Sequence, residues 1–149
     1  MAQAPRFIHL RTHSEYSLLE GALRLKKLPD LCKGADMPAL ALTDTNNMFA
    51  ALEFSVAMAG AGVQPIIGCQ VDVAYVEVQP GEKPRPPAPV VLLAQSERGY
   101  ENLMKLNSCL YLDKGGAVAE VTLDELEALS ADIICLTGGP MGPVGMLLQ

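Results

Sequence analysis

The chain has 149 residues, of which 50% are hydrophobic and 19% are charged. This apolar content is enough for a folded core and argues against a disordered chain. The formal net charge is −6, which excludes the strongly basic surface that a protein needs to neutralise nucleic-acid phosphates. We interpret the short basic run at residues 24–27 as a solvated face.

Four cysteines are present, and none of them forms a C-x-x-C pair, so neither a zinc ribbon nor a thioredoxin-like site is predicted. Each lies in an apolar stretch, where a free cysteine packs as a small core residue. Residues 1–6 contain no apolar signal segment, and no apolar run approaches the roughly 20 residues of a membrane span. Scattered thiols without an export signal indicate a reducing cytoplasm.

The first third of the chain predicts a strand, a helix and a second strand. The first strand is expected at residues 7–11, and Gly21 closes the loop that follows it. The helix has Pro29 in its first turn, where the missing N–H is tolerated, and residues 34–38 end it. Its apolar positions are Leu28, Leu31, Cys32 and Ala35. The apolar run 39–43 predicts a buried second strand.

The middle of the chain repeats this alternation. Residues 44–47 are predicted to form a polar loop that caps a second helix, and residues 60–62 end that helix. Its apolar stripe is formed by Met48, Leu52, Val56 and Ala59. A third strand is expected at residues 65–73 and a fourth at 90–94. The proline-rich stretch 79–89 between them predicts a surface loop.

The last part of the chain predicts one more helix and strand, followed by a capped helix start. The residues that mark the third helix are Tyr100, Leu103, Met104, Leu110 and Tyr111. Thr122 and Glu125 match a capping box, and residues 133–136 predict a fifth strand. A glycine- and proline-rich loop at 138–143 leads into a helix start at 144–149. We expect one domain over residues 1–149, truncated from a larger protein.

This alternation of apolar strands and helices is typical of an α/β fold with mostly parallel strands, either a sheet or a barrel. In such folds functional residues gather at the carboxyl ends of the strands. The polar candidates at those ends are Arg11, His13, Glu20, Asp44, Thr45 and Gln70, with the loop at residues 138–139. His9 and His13 are four residues apart, which suits a metal pair on a helix but not on a strand that runs into a loop. We interpret them as hydrogen-bonded histidines.

Four collinear stretches carry a family resemblance: FIHLRTHSEYSLLEG at residues 7–21, PALALTDTNNM at 38–48, PIIGCQV at 65–71 and LLAQSERGYENLMKL at 92–106. Together they resemble the PHP (polymerase and histidinol phosphatase) domain of bacterial replicative DNA polymerases, the DNA polymerase III alpha subunits. The resemblance implies a (β/α)₇ barrel, of which residues 1–149 would be the N-terminal part.

The resemblance also implies an altered metal site. Metal-binding members begin with an H-x-H motif, which falls on Arg11 and His13, so that the second histidine alone is kept. The aspartate before the motif's glycine falls on Glu20, a longer substitute. A guanidinium cannot coordinate a metal. At about 5 Å from a divalent ion it would cost on the order of 6 kcal/mol in repulsion at an effective dielectric constant near 20.

The later motifs lose further ligands. The second-motif aspartate is kept as Asp44, but the histidine that follows it falls on Thr45, and the third-motif glutamate falls on Gln70. Two further ligand positions fall near Pro89 and Gly139, which offer no side-chain ligand. We therefore predict no metal in this segment. We expect Arg11 to fill the place of the ions and pair with Glu20 or Asp44, or else to turn towards solvent.

The resemblance implies a non-catalytic scaffold that packs against the rest of the alpha subunit and contacts the proofreading exonuclease subunit. The parent protein would be a DNA-directed DNA polymerase that uses Mg²⁺ in another domain and itself contacts the DNA. The alternatives are an active metal-dependent phosphoesterase or 3′–5′ exonuclease, and a stand-alone regulatory α/β domain. Because an incomplete barrel leaves open strand edges, dimerisation is a further alternative.

Overall fold

The computed structural model describes residues 7–76, 81, 83, 86, 88–112 and 119–149. In that part of the chain, one sheet has the strand order β1-β2-β3-β5, and β4 also pairs with β2. The strands are β1 (Ala39–Leu42), β2 (Gln64–Ala74), β3 (Ala88–Ala94), β4 (Val121–Thr122) and β5 (Ile133–Leu136). The helices are α1 (Leu28–Gly34), α2 (Ala51–Gly60), α3 (Glu97–Cys109), α4 (Leu123–Ala128) and α5 (Pro143–Leu147). Short 3₁₀ helices precede α1 and α5.

The predicted α/β class is confirmed, with one strand reversed. β2 is parallel to β1 and β4, whereas β3 is antiparallel to both β2 and β5. Parallel neighbours need a crossover, usually a helix. The sequence between β2 and β3 is rich in proline, which opposes helix formation and favours the antiparallel arrangement. The predicted loop at 79–89 lies mostly outside the described residues, but Ala88 and Pro89 belong to β3.

The long strand β2 organises the sheet. One side of it pairs with β3 over residues 68–73. The other side pairs first with β1, then with Thr45 at Gln70, and finally with β4 at residues 73–74. This pairing places the loop after β1 beside the second half of β2, where the candidate residues lie.

The two larger of the three hydrophobic clusters in the described part of the chain pack helices against the sheet. One packs α1 and α2 against β1 and includes Leu40, Phe54 and Met58. The other packs α3 against β2 and β3 and includes Leu92 and Leu103. Each such side chain contributes about 1.5–3 kcal/mol when it is fully buried. In the described part of the chain, no helix is long and apolar enough to cross a membrane.

The strand predicted at residues 7–11 does not form. The carbonyl oxygens of His9 and Thr12 accept hydrogen bonds from the backbone of Ala41 and Thr43, at 2.9 and 2.8 Å. The two accepting residues are three positions apart in sequence and the two donating residues are two apart, so one extra residue interrupts the ladder as a bulge does. The backbone N–H of Thr12 donates to the Thr43 hydroxyl instead, at 3.0 Å.

Helix α2 differs from its prediction at its start and in its buried face. It begins at Ala51 without a side-chain cap, so residues 44–47 do not cap it. Its buried residues are Ala51, Phe54 and Met58, while Leu52 and Val56 are 76% and 66% exposed. The helix is apolar nearly all round, so periodicity could not select the face that packs.

Several smaller expectations are corrected. Leu31 of α1 and Met104 of α3 are exposed, and Tyr111 is exposed beyond the end of α3. Cys135 is exposed rather than in the core, because it lies on β5, which pairs with β3 on one side in the described part of the sheet.

The capping box is confirmed. The backbone of Glu125 donates to the Thr122 hydroxyl at 3.2 Å, and the backbone of Thr122 donates to the Glu125 carboxylate at 2.8 Å. The predicted ends of α1 and α2 are also confirmed.

Candidate functional site

A cleft of about 770 Å³ opens at the carboxyl ends of β1 and β2, beside the beginning of β3. Its walls contain five of the six candidate side chains together with five other residues: Arg11, His13, Glu20, Ala22, Leu23, Thr45, Gln70, Asp72, Pro89 and Met141. Asp44, the sixth candidate, is not among the lining residues. Pro89 lines the cleft, whereas Gly139 does not. The rule that places polar residues at strand ends therefore predicted that these five side chains lie together.

Asp44 holds the N-terminal segment in place. Its carboxylate is buried and accepts from the backbone and hydroxyl of Ser14, at 2.6 and 2.7 Å, and from the hydroxyl of Ser17 at 2.6 Å. The Ser17 hydroxyl also accepts from the backbone of Thr45 at 3.0 Å. Hydrogen bonds to a carboxylate are strong and short. The carboxylate at the position of the motif aspartate therefore binds the two serines.

The loop that follows Ser14 is compact. The carbonyl oxygen of Ser17 accepts from the backbone of Glu20 and Gly21, at 2.9 and 2.8 Å, and Ser14 forms a β-bridge with Leu23. A side chain at position 21 would overlap the carbonyl oxygen of Ser14. Gly21 is thus required by close backbone approach, which places Glu20 at the wall of the cleft.

Thr45 is the centre of the polar contacts inside the cleft. Its hydroxyl donates to Glu20 Oε2 at 2.6 Å and accepts from Gln70 Nε2 at 3.3 Å. His13 Nδ1 lies 3.2 Å from the same hydroxyl and 3.6 Å from Glu20 Oε2. Four candidate residues therefore form one hydrogen-bonded group.

Asp72 is a cleft residue that the sequence reasoning missed. Burial raises its pKa, a hydrogen bond from Asn46 lowers it, and the nearby Glu20 carboxylate raises it further. Asn46 Nδ2 donates to Asp72 Oδ2 at 3.5 Å. Asp72 lies two residues after Gln70 in β2, and side chains two apart in a strand share a face. That alternation was the signal that could have identified it.

Two buried oxygen atoms in this region, Asn46 Oδ1 and Gln70 Oε1, have no hydrogen-bond partner within the described residues. Arg11, on the wall of the same cleft, is exposed. It forms no ion pair with Glu20 or Asp44 in the part of the chain that the structure covers. The expected pairing is therefore not seen, since Thr45 engages Glu20 and the two serines engage Asp44.

Cys69 and Tyr111 contact the loop that follows β1. Burial raises the pKa of the Cys69 thiol to about 12, so this thiol stays protonated near neutral pH. Its sulfur donates to the carbonyl oxygen of Asp44 at 3.3 Å. The Tyr111 hydroxyl donates to the carbonyl oxygen of Asn46 at 2.6 Å. Both contacts support the loop that carries Thr45.

These residues do not fit a cluster of divalent ions. Among the described residues, no group of three or more His, Cys, Asp or Glu side chains is placed to hold a metal ion. His13 and Glu20 are adjacent, but Thr45 and Gln70 offer neutral oxygens, and the guanidinium of Arg11 shares the cleft. Divalent ions prefer anionic oxygens and neutral imidazoles.

The model of the PHP domain family matches residues 9–149. The chain is 43% identical over 147 residues to the DNA polymerase III subunit alpha of Caulobacter vibrioides, covering 98% of the chain and 13% of that protein. It is 37% identical over 145 residues to the DNA polymerase III subunit alpha of Escherichia coli K12, covering 97% and 12% respectively.

The chain thus spans 12–13% of the length of these relatives. Among solved structures, an amidohydrolase from Chromobacterium violaceum, with bound SO4 and no metal, superposes on 69% of this chain and 32% of its own. The TM-score is 0.52 at 24% sequence identity, which is a likeness of fold.

Proposed function

The chain belongs to the PHP domain family, and from that premise we propose that it is the PHP segment of a DNA polymerase III alpha subunit. Its similarity to two such subunits over nearly its whole length supports this assignment. The parent protein would be a DNA-directed DNA polymerase of the cytoplasm that acts in chromosome replication. Its Mg²⁺ ions would lie outside residues 1–149.

Within that parent, this segment is a scaffold and does not catalyse hydrolysis. The observation that carries this proposal is the arrangement of Asp44, whose carboxylate accepts three hydrogen bonds from Ser14 and Ser17. A carboxylate has about four lone-pair sites, and these three bonds leave one of them. Asp44 is also buried and is not among the residues that line the cleft, so it is poorly placed to bind an ion there. The buried network therefore stabilises the loop at the cleft, and the metal-motif position serves structure.

Arg11 supports the same conclusion by its charge. A guanidinium stays protonated at all relevant pH values and has no lone pair for a metal. Its place on the cleft wall adds a positive charge where an ion cluster would need negative ones. The neutral side chains of Thr45 and Gln70 do not compensate for it.

The partners of a scaffold follow from its place in the parent. They would be the rest of the alpha subunit and the proofreading exonuclease subunit of the polymerase core. With a net charge of −6, this segment would contact DNA weakly or not at all, and the parent would supply the DNA-binding surface.

Elemental analysis of the purified chain tests the scaffold proposal. After exposure to Mn²⁺, Mg²⁺ and Zn²⁺ followed by dialysis, we expect no stoichiometric metal and no hydrolysis of phosphate esters or single-stranded DNA. Arg11→Met is the matched variant, since it removes the cation and leaves the other cleft residues unchanged. Stoichiometric metal in the natural chain would contradict the proposal.

The second candidate is an active metal-dependent phosphoesterase or 3′–5′ exonuclease. The adjacency of His13 and Glu20, whose Nδ1 and Oε2 atoms are 3.6 Å apart, favours it, because these are two metal-binding side chains in one cleft. Manganese-dependent hydrolysis that is lost in His13→Ala would establish this candidate and exclude the scaffold.

A further inference from the structure

The wall of the cleft carries more hydrogen-bond acceptors than donors. Among the described residues that line it, Glu20 and Asp72 are carboxylates and Arg11 is the one Lys or Arg side chain. Glu20 Oε2 accepts from Thr45 at 2.6 Å, whereas Asp72 Oδ2 accepts from Asn46 at 3.5 Å, which is long for a hydrogen bond. In the part of the chain that the structure covers, neither carboxylate forms an ion pair with Lys or Arg. The charge of Asp72 is therefore largely uncompensated.

Gln70 adds an acceptor that has no partner. Its side chain is buried, with 5% exposure, and its amide nitrogen reaches Thr45 in the cleft. Its Oε1 atom is covered from solvent and has no hydrogen-bond partner within the described residues. Buried polar atoms in folded proteins nearly always have one, so this oxygen indicates a donor from outside these residues. The last torsion of glutamine is soft, and turning the amide towards the cleft would give up only the 3.3 Å bond to Thr45.

A further free acceptor follows from the protons at Thr45. The hydroxyl has one proton, and it donates that proton to the Glu20 carboxylate. His13 Nδ1 lies 3.2 Å from the same hydroxyl oxygen and must therefore carry the proton of the bond between them. In the neutral ring this leaves the lone pair on Nε2. His13 lines the cleft, and no described residue donates to that atom.

The charge of the wall suits one monovalent cation. Glu20 and Asp72 carry two negative charges and Arg11 carries one positive charge, so one negative charge remains while His13 is neutral. A divalent ion would reverse this charge beside the guanidinium, whereas a monovalent cation would neutralise it. The free acceptors also require hydrogen-bond donors, and a primary ammonium group has three of them.

We propose that the cleft binds a primary alkylammonium group, which is either the side chain of a lysine in a partner protein or a free aliphatic amine. Asp72 supplies the opposite charge, and Gln70 and His13 supply neutral acceptors. The hydrocarbon stem contacts the apolar part of the wall, which consists of Ala22, Leu23, Pro89 and Met141. This binding goes beyond the scaffold proposal and uses no metal.

Protection of a thiol in the cleft tests this binding. Ala22→Cys is an exposed reporter on the cleft wall, and Lys26→Cys, on the 3₁₀ helix before α1, is the exposed control outside it. The 149-residue variants are alkylated with iodoacetamide in the presence of EDTA, and peptide mass mapping separates the new thiol from the four natural cysteines. We expect N-acetyl-lysine methylamide or putrescine to slow alkylation of Ala22→Cys and to leave Lys26→Cys unchanged.

The two amines distinguish the sources of the ligand. Stronger protection by the lysine derivative assigns the site to a protein side chain, and stronger protection by putrescine assigns it to a free amine. Either ranking supports the proposal, whereas the absence of protection by both amines would overturn it. Because EDTA removes divalent ions, this result is independent of the metal analysis, and failure of amine binding is distinguishable from failure of the scaffold proposal.

A charge variant tests the role of Asp72. Asp72→Asn in the reporter protein keeps the shape of the side chain, and we expect the amine concentration that halves the alkylation rate to rise about tenfold, which corresponds to about 1.4 kcal/mol. Glu101→Gln, an exposed position in α3 that does not line the cleft, is the matched control and should leave that concentration unchanged. Equal changes in the two variants would indicate general charge attraction and would overturn the proposal.

The requirement for N–H donors has its own control. The trimethylated form of the lysine derivative keeps the positive charge and the stem but has no N–H group. We expect it to give no protection at concentrations where the unmodified derivative protects the thiol. Equal protection by the two forms would refute the acceptor site.

Nitrogen NMR of the natural 149-residue sequence avoids any effect of the cysteine. The chain has two histidines, His9 and His13, so their ring signals are readily assigned. We expect neutral His13 to carry its proton on Nδ1, and we expect its Nε2 signal to move when the amine is added while the signals of His9 stay in place. A proton on Nε2 of the neutral ring, or an unchanged His13 signal at saturating amine, would overturn the proposal.

Discussion

At the scale of single residues, Asp44 joins two parts of the chain that lie 27–30 residues apart in sequence. Asp44→Asn keeps the shape but replaces one acceptor oxygen by a donor that faces the serines. We expect the free energy of unfolding to fall by about 3 kcal/mol, because bonds to a charged group contribute about 1.5–3 kcal/mol each. Urea unfolding measures it.

Ser55→Ala is the control for that measurement, since the Ser55 hydroxyl bonds only within its own helix, to the carbonyl oxygen of Ala51. It should change stability little. An Asp44→Asn protein as stable as the natural chain would show that the serine contacts are not what holds the loop.

A substitution at Leu19 should raise the free energy of unfolding, whereas the one at Asp44 lowers it. Leu19→Asn should raise the stability of the 149-residue chain by about 1 kcal/mol, because asparagine tolerates positive φ better than leucine does. Leu18→Asn is the matched control, since Leu18 is not among the described residues with positive φ. If the two substitutions change the free energy of unfolding by the same amount, the positive φ of Leu19 does not destabilise the chain.

Asp72 makes the stability of the chain depend on pH. Its pKa is raised in the fold, so its contribution to stability is fully present below its usual pKa of 3.8 and is lost as pH rises through the folded value. Asp72→Asn removes this loss. Relative to the natural chain, we expect the variant to become progressively more stable from pH 3 to pH 7.

The magnitude should stay below about 1 kcal/mol, because Asp72 is only half-buried and solvent screens it. The exposed Glu101→Gln in α3 is the control and should show no such trend. A relative stability of Asp72→Asn that falls with rising pH would contradict the assigned direction.

At the scale of elements, the helices and strands whose formation depends on neighbouring residues in sequence were predictable. The apolar runs at 39–43 and 133–136 form β1 and β5, and the capping box at Thr122 is present. Each of these needs no knowledge of the partner element. The first strand failed because its bulge arises from pairing with β1, and the face of α2 failed because both of its sides are apolar.

The capping box itself carries a prediction. Thr122→Ala removes the acceptor for the Glu125 backbone, and we expect a loss of about 1 kcal/mol in stability. Thr122→Ser retains the hydroxyl and should restore most of it. Thermal unfolding of the three proteins would decide, and an alanine variant with an unchanged melting temperature would refute the cap's contribution.

At the scale of the whole molecule, the sheet has an exposed edge. β5 pairs with β3 on one side in the described part, and its Ile134 and Cys135 are exposed. An apolar groove of about 440 Å³ lies beside it, between β5 and α4. Exposed apolar edge strands invite pairing with another chain. We expect the 149-residue chain to self-associate as its concentration rises.

Ile134→Lys places a charge on that edge and should shift the association to higher concentration, as measured by sedimentation equilibrium. Leu52→Lys is the control, because Leu52 is also apolar and exposed but lies on helix α2 and not on a strand. Association that Leu52→Lys weakens and Ile134→Lys leaves intact would place the contact on the helix.

The composition of the cleft was predictable for a similar reason. Carboxyl ends of parallel strands meet at one edge, so His13, Thr45 and Gln70 could be placed together before their contacts were known. The partners of each group could not be predicted. Asp44 turns to the serines because those serines lie in a loop whose path depends on Gly21, and this is a property of the folded backbone.

The bond from Ser14 to Asp44 also orders events during synthesis. The first segment of the chain leaves the ribosome well before its anchor does, since translation proceeds at about 5–20 residues per second and domains fold as their parts emerge. Until residue 44 has emerged from the ribosome, Ser14 and Ser17 have no carboxylate to bind. Leu18 and Leu19 then lie on a part of the nascent chain that is not yet anchored. During that interval the two leucines are apolar surface that is open to chaperones.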